Sequence, residues 1–299
     1  MNNVLTRGGF HMSVPVIMHV NYCEQGQTIL EICEKAVSWG FDGVEFRRKR
    51  ARVDETVEGY LDSIAEGVQK SGLKYVLFGG PGPNLNNEDK GAREAEIQSA
   101  IDFFRMASER FKLTVNNTFT GGLTNKTPGV PAADYTQHGS FIATEDQWSW
   151  AAEFKELGKL ANELGFRFAF EAHMNYIHDT PAAAKKLADL IDEPSVGVNL
   201  DYGNAVYFPK NPSIADTIKA LGNKLYYVHL KNSISIAGKR FPTGLSEGEI
   251  NHREYLRLLK ESGFDGPICI EAPRPGDREF YAQVDLAYTK SLLKDIGWN

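Results

Sequence analysis

The chain has 299 residues, 42% hydrophobic and 24% charged, with a formal net charge of −6, a composition ordinary for a globular protein. An acidic chain without a dominant basic run is a poor nucleic-acid binder through its net field, and no apolar stretch approaches the roughly 20 residues of a membrane span. Cys23, Cys33 and Cys269 form no CxxC pair; an odd cysteine count argues against a disulfide framework and fits a reducing compartment, the cytoplasm.

Residues 1–11 are polar, include two adjacent glycines and lack the apolar core of a signal peptide. They read as a loose leader or cloning remnant, followed by one domain over 12–299. The first strand is expected at 14–20. Ile29, Ile32, Cys33, Ala36 and Val37 then recur at helical spacing over 28–39, and Gly40 stops that helix. Strand 2 follows at 43–47. The same punctuation returns late in the chain: Ser38-Trp39-Gly40-Phe41-Asp42-Gly43 precedes strand 2, and Glu261-Ser262-Gly263-Phe264-Asp265-Gly266 precedes the last strand. This is a repeated helix–turn–strand unit.

Further strands are predicted at 73–78, 112–118, 166–171, 196–201, 225–230 and 267–271. Helices are predicted near 54–71, 88–110, 145–163, 180–192, 213–222, 251–262 and 279–295. Strands alternating with helices imply parallel pairing with right-handed crossovers. Eight units of about 37 residues fit an α/β chain folded as a single (β/α)8 TIM barrel. A doubly wound open sheet lacks support, because no GxGxxG or GxxxxGK[ST] follows an early strand. Gly79-Gly80-Pro81-Gly82-Pro83 reads as a stiff loop, since proline offers no N–H to a phosphate. Residues 119–143, between strand 4 and helix 4, form a long loop on the face where barrel active sites lie, either a surface insertion or a lid or substrate wall. Arg47-Arg48-Lys49-Arg50 reads as a solvated loop with one inward arginine.

The last four strands close on polar residues. Phe168-Ala169-Phe170 ends in Glu171, Val196 to Leu200 in Asp201, Tyr226-Tyr227-Val228 in His229 and Ile268-Cys269-Ile270 in Glu271. A carboxylate at the end of a buried strand needs a partner. Any one of the four is ordinarily structural, a salt bridge or a hydrogen-bonded core histidine. Four at equivalent positions of consecutive strands can converge above the barrel axis. Three carboxylates and an imidazole suit one divalent ion: Mn²⁺ by preference, or Mg²⁺, Co²⁺ or Zn²⁺.

Phe170-Glu171-Ala172-His173, Asn199 to Asn204, Val228 to Asn232, and Gly248 to Asn251 leading into Gly266 to Glu271 resemble the xylose isomerase-like barrel superfamily of sugar phosphate isomerases and epimerases. The resemblance implies that Glu171, Asp201, His229 and Glu271 hold one metal and that Glu171 and Glu271 serve as the acid/base pair. Asn204 and Asn232 stand where many members carry His and Asp, which speaks against a multi-metal nuclease. His19, Glu45, His173, Asn204, Lys231 and Arg274 are candidate substrate residues; Asn116 and Asn117 are weaker ones. The expected activity is a metal-dependent sugar isomerase or epimerase acting on a keto-sugar or polyol ketone through an enediolate. The alternatives are a lyase or dehydratase on keto-glycosides or inososes using the same site, and a non-catalytic sugar- or partner-binding barrel. The expected partner is a small carbohydrate, not nucleic acid or membrane; homo-oligomerisation stays open.

Overall fold

The computed structural model describes residues 14–50, 53–80, 82–125, 135–208 and 211–298. The expected leader, and the middle of the long loop, lie outside the described residues.

The barrel strands are β1 (Val16–His19), β2 (Gly43–Arg47), β3 (Tyr75–Gly79), β4 (Val115–Thr118), β5 (Arg167–Glu171), β6 (Val196–Asp201), β7 (Leu225–Leu230) and β10 (Ile268–Ile270). They pair in parallel in the order β3-β2-β1-β10-β7-β6-β5-β4. The seam between β3 and β4 has no backbone ladder; there the Phe78 N–H donates to Asn116 Oδ1 at 2.9 Å. The sheet is thus a nearly closed barrel with helices between its strands. Among the described residues no helix is long and apolar enough to cross a membrane.

Side chains alternate across each strand. Phe46, Phe78, Phe168 and Phe170 face outward into the layer beneath the helices. Ile17, Leu77, Val115, Ala169, Tyr227 and Cys269 face inward and form an apolar floor inside the barrel. Glycines complete that floor where no side chain fits: a Cβ on Gly43 would lie 2.5 Å from Tyr75 Cβ, and one on Gly197 2.4 Å from the Tyr226 ring. Two residues further along the same strands point inward again, one layer higher, and these form the site.

The repeated punctuation has a backbone cause. Gly40 and Gly263 end their helices at φ of 96° and 77°, the left-handed region that favours glycine. Thr28 caps α1 (Ile29–Trp39) reciprocally with Glu31. The predicted helix 145–163 is instead α4 (Glu145–Ala151), a 3₁₀ turn at Ala152–Phe154, and α5 (Lys155–Leu164). Phe154 is buried against Phe168 and Phe170 at that turn, so packing breaks a continuous periodicity. Strand 1 is shorter than expected, because Val20–Cys23 turns into a 3₁₀ helix with His19 as its cap. A short helix α7 (Tyr202–Ala205) and a hairpin of β8 (Ser233–Ile236) and β9 (Lys239–Pro242) were not expected. The basic run is not a solvated loop with one inward arginine: only Lys49 is exposed, Arg48 stacks over Phe103 and Phe104 at 5.1 and 5.6 Å, and Arg47 and Arg50 are half-buried in ion pairs with Glu24 and Glu55.

His252 begins α9 (His252–Glu261), is buried, and stacks on Tyr255. Burial pushes its pKa down from 6.5 to about 4. A depressed folded pKa contributes stability that is present above the unfolded value and lost as pH falls through the folded one. The thermal midpoint should therefore fall between pH 6.5 and 4, and less steeply in His252→Gln. Parallel declines in both proteins would contradict this assignment.

Candidate functional site

The polar layer arises from the two-residue period of the strands. From the floor residues Ala169, Tyr227 and Cys269, two steps reach Glu171, His229 and Glu271; from Ile17, Gly43 and Val115 they reach His19, Glu45 and Asn117. β6 supplies Asn199 and Asp201, both fully buried, helped by a register shift against β7 at Val198/Asn199.

Glu171, Asp201, His229 and Glu271 each offer one ligand atom, all within 4.8 Å of one another. His229 Nδ1 lies 2.7 Å from Glu271 and 3.6 Å from Glu171. Its Nε2 donates to Glu45 Oε2 at 2.9 Å, and the same oxygen accepts from the Tyr227 hydroxyl at 2.6 Å. Glu45 and Tyr227 thus fix the imidazole so that Nδ1 faces the carboxylates. The Lys231 ammonium sits among three carboxylates, 2.6 Å from Asp201, 3.1 Å from Glu271 and 3.6 Å from Glu171.

Amides set the remaining carboxylate oxygens. Asn117 donates to Glu171 Oε2 at 2.7 Å and Asn204 to Glu171 Oε1 at 2.9 Å. Asn21 donates to Glu271 Oε1 at 3.2 Å, and the Asn204 N–H to Asp201 Oδ1 at 3.0 Å. Asn199 orients Asn117.

The charges explain the protonation of the group. Burial opposes ionisation of Glu271, but His19, Lys231 and His229 outweigh it and hold the carboxyl well below its usual range. Glu171 is lowered in the same way against burial, by Lys231 and His229. Burial pushes Asp201 up to about 6 despite Lys231. Burial would lower His229 and Lys231; the carboxylates around them raise both. Counting Glu45, three buried carboxylates and the half-buried Glu271 face Lys231 and His229, an excess of negative charge that a dication would reduce. The oxygen-rich donor set with one imidazole suits such an ion, and the ammonium among the carboxylates marks where positive charge is most stabilised.

Above this cluster is a cleft of 280 Å³ walled by His19, Arg47, Phe119, His173 and Tyr176, with Glu171 and Glu271 at its base. The structure brings His19 and His173 to this cleft. Glu45, Asn204 and Lys231 belong to the charged cluster itself, through the contacts above. Arg274 is not brought to the cleft: it pairs with Asp285 at 2.7 Å, donates to the Ala272 carbonyl and covers the Tyr281 ring. Buried Asp285 also holds Tyr22, so this guanidinium pins the turn after β10. Asn21, Tyr227, Phe119 and Tyr176 escaped the sequence reading. Asn199 was legible as a polar residue inside an apolar run; the aromatic loop residues carried no such signal.

The long loop is anchored at its described ends. The Leu123 N–H donates to the Asn175 carbonyl at 2.7 Å, and Asp179 accepts from the Ser140 N–H at 3.0 Å. The first places Phe119 beside Tyr176 over the cleft, rings 4.6 Å apart.

An inosose dehydratase from Clostridium perfringens is 26% identical to the chain over 150 residues, 45% of the chain and 50% of that protein, so the chain spans about half the length of this relative. Among solved structures, a xylose isomerase-like TIM barrel protein from Mycobacterium smegmatis in complex with magnesium superposes with a TM-score of 0.71 at 18% identity, covering 95% of this chain and 97% of that one. A 3-keto-D-glucoside 4-epimerase from E. coli gives 0.71 at 15% identity, covering 93% and 99%. The family model described as xylose isomerase-like TIM barrel matches residues 33–292. The chain belongs to the xylose isomerase-like TIM barrel family.

Proposed function

We propose that this protein is a divalent-metal-dependent epimerase or isomerase of a keto-sugar or polyol ketone. The observation that carries the reading is the pair Glu171 and Glu271, both at the base of one cleft and both set by amides and cations. Glu171, Asp201, His229 and Glu271 would hold the ion. When bound, the metal supplies Lewis-acid polarisation of the substrate carbonyl, which acidifies the neighbouring C–H.

The residues of the chain then move the protons. One glutamate takes the α-proton, and the C–H pair becomes the enediolate π bond. The other, also a carboxylate at rest, takes up a proton from solvent during the cycle and returns it to the opposite face for epimerisation or to the neighbouring carbon for isomerisation. Their low pKa keeps a carboxylate available as base at neutral pH, and Lys231 stabilises negative charge as it develops. His19 and His173 meet substrate hydroxyls, and Phe119 and Tyr176 keep water from the reacting carbon. Mn²⁺ is the preferred ion. The three cysteines are free and buried, which supports a cytoplasmic setting.

The dehydratase relative favours a second reading, in which the same proton removal expels a β-substituent. Incubating the metal-loaded protein in D₂O with 3-keto-glucose and with an inosose, followed by mass spectrometry, separates the two. Deuterium gained with the carbon skeleton retained is the expected result. Loss of water identifies the lyase. Neither change with either ketone, under any divalent ion, would overturn the catalytic reading.

A further inference from the structure

A second groove opens beside the cleft, with a volume of 680 Å³ against 280 Å³. Ordinary small-molecule pockets span about 300–1,000 Å³, so the cleft is sized for one ring and the groove for a substantial further unit. The two share a wall, since Arg47 lines both. Asn21 links them as well: its amide holds Glu271 Oε1, while its carbonyl accepts from Arg278 Nη1 at 2.9 Å.

The groove is lined by the apolar side chains of Val20, Ile29 and Ile32 with the Tyr60 ring, and by Arg47, Arg50 and Arg278. Arg47 is paired with Glu24, and Arg50 with Glu55. Among the described residues, Arg278 has no carboxylate within 4 Å and its only hydrogen bond is to the Asn21 carbonyl. Its charge acts at longer range on Glu24, which also lines the groove and already pairs with Arg47, so three guanidiniums face the two carboxylates Glu24 and Glu55. A groove with a guanidinium in excess is unusual beside a carboxylate-rich cleft in a chain of net charge −6. Apolar lining with one guanidinium more than its carboxylates suits an organic arm that ends in an acid.

We propose that this groove is a second subsite, which takes one further unit of a two-part substrate and binds an acidic group on it, carboxylate or phosphate, through Arg278. This rests on reading the cleft as the keto-sugar site. The reacting ring occupies the cleft, and the acidic arm passes Arg47 into the groove. Arg47 and Arg50 are already paired with Glu24 and Glu55, so Arg278 is the arginine left to meet the acid on the arm.

Calorimetric titration with glucosylglycerol and glucosylglycerate tests it, because a carboxylate in the second arm stands where the first has a hydroxymethyl group. The expected result is at least tenfold tighter binding of glucosylglycerate, a preference that Arg278→Gln abolishes and Arg278→Lys reduces. Equal affinities, no measurable binding of either glycoside at millimolar concentration, or a preference that survives in folded Arg278→Gln would overturn it. Should Arg278→Gln fail to fold, Arg278→Lys carries the test: it keeps the charge and loses the planar fork, so an undiminished preference counts against the subsite. The D₂O experiment reads the cleft separately. Exchange without a carboxylate preference rejects the subsite alone; a carboxylate preference without exchange rejects the catalytic reading alone.

Discussion

Glu271→Gln should lower turnover by about 10³-fold, and Glu171→Gln by a similar factor, the scale expected when one member of an acid/base pair is removed. Glutamine keeps the size and one oxygen of each side chain but can neither accept the α-proton nor deliver it. Glutamine at 271 keeps an oxygen for the Asn21 amide, whereas at 171 only one of the Asn117 and Asn204 amides keeps its acceptor, so the thermal midpoint of each variant is measured beside its kinetics. Steady-state kinetics on a turned-over ketone, with metal content measured in parallel, checks this. The variants should differ in kind. The glutamate that removes the proton should, when replaced, stop solvent exchange and product formation together. The one that returns it should, when replaced, leave exchange at the α-carbon while product formation stops. Turnover within threefold of wild type in either variant would refute the acid/base assignment.

Metal removal is the second large effect. A divalent ion at about 100 times its dissociation constant should stabilise the folded chain by roughly 2.7 kcal/mol, read as a rise in thermal midpoint when Mn²⁺ is added to chelator-treated protein. Asp201→Ala and His229→Ala should abolish that rise. Glu45→Gln should weaken ion binding by about 10–100-fold without removing a ligand, because Glu45 only orients the His229 ring. A midpoint unmoved by Mn²⁺, Mg²⁺, Co²⁺ and Zn²⁺ alike would refute the metal site. Without the ion, Lys231 and the imidazole protons serve as the counter-charges of the carboxylates. Lys231→Met should therefore destabilise the ion-free protein more than the loaded one.

The ends of β5, β6, β7 and β10 were legible because each breaks an apolar run with a residue that is costly to bury alone. Glu171, Asp201, His229 and Glu271 stand out on that ground before any coordinates. Glu45 was legible as a candidate but not in its role, since contact with His229 spans 184 positions of sequence. Arg274 misled for the opposite reason. It follows the last strand as a substrate-binding arginine would, but Asp285, eleven residues on, draws the guanidinium to α10 (Arg278–Asp295). Phe154 similarly interrupts a helix that periodicity runs straight through, because its ring seats between Phe168 and Phe170.

Local rules were sufficient for the alternation of strand and helix, the glycine stops and the polar residues that close the last strands, because each depends on a period of two or 3.6 or on a residue's own φ preference. The tertiary structure alone decided which polar residues share a point. Closure of the barrel aligned inward positions from distant segments, put Asn21, Asn117 and Tyr227 around the ligand set, and set the arginine-lined groove beside the cleft. Those contacts follow from strand order and register, which are properties of the assembled sheet and of no single stretch of sequence.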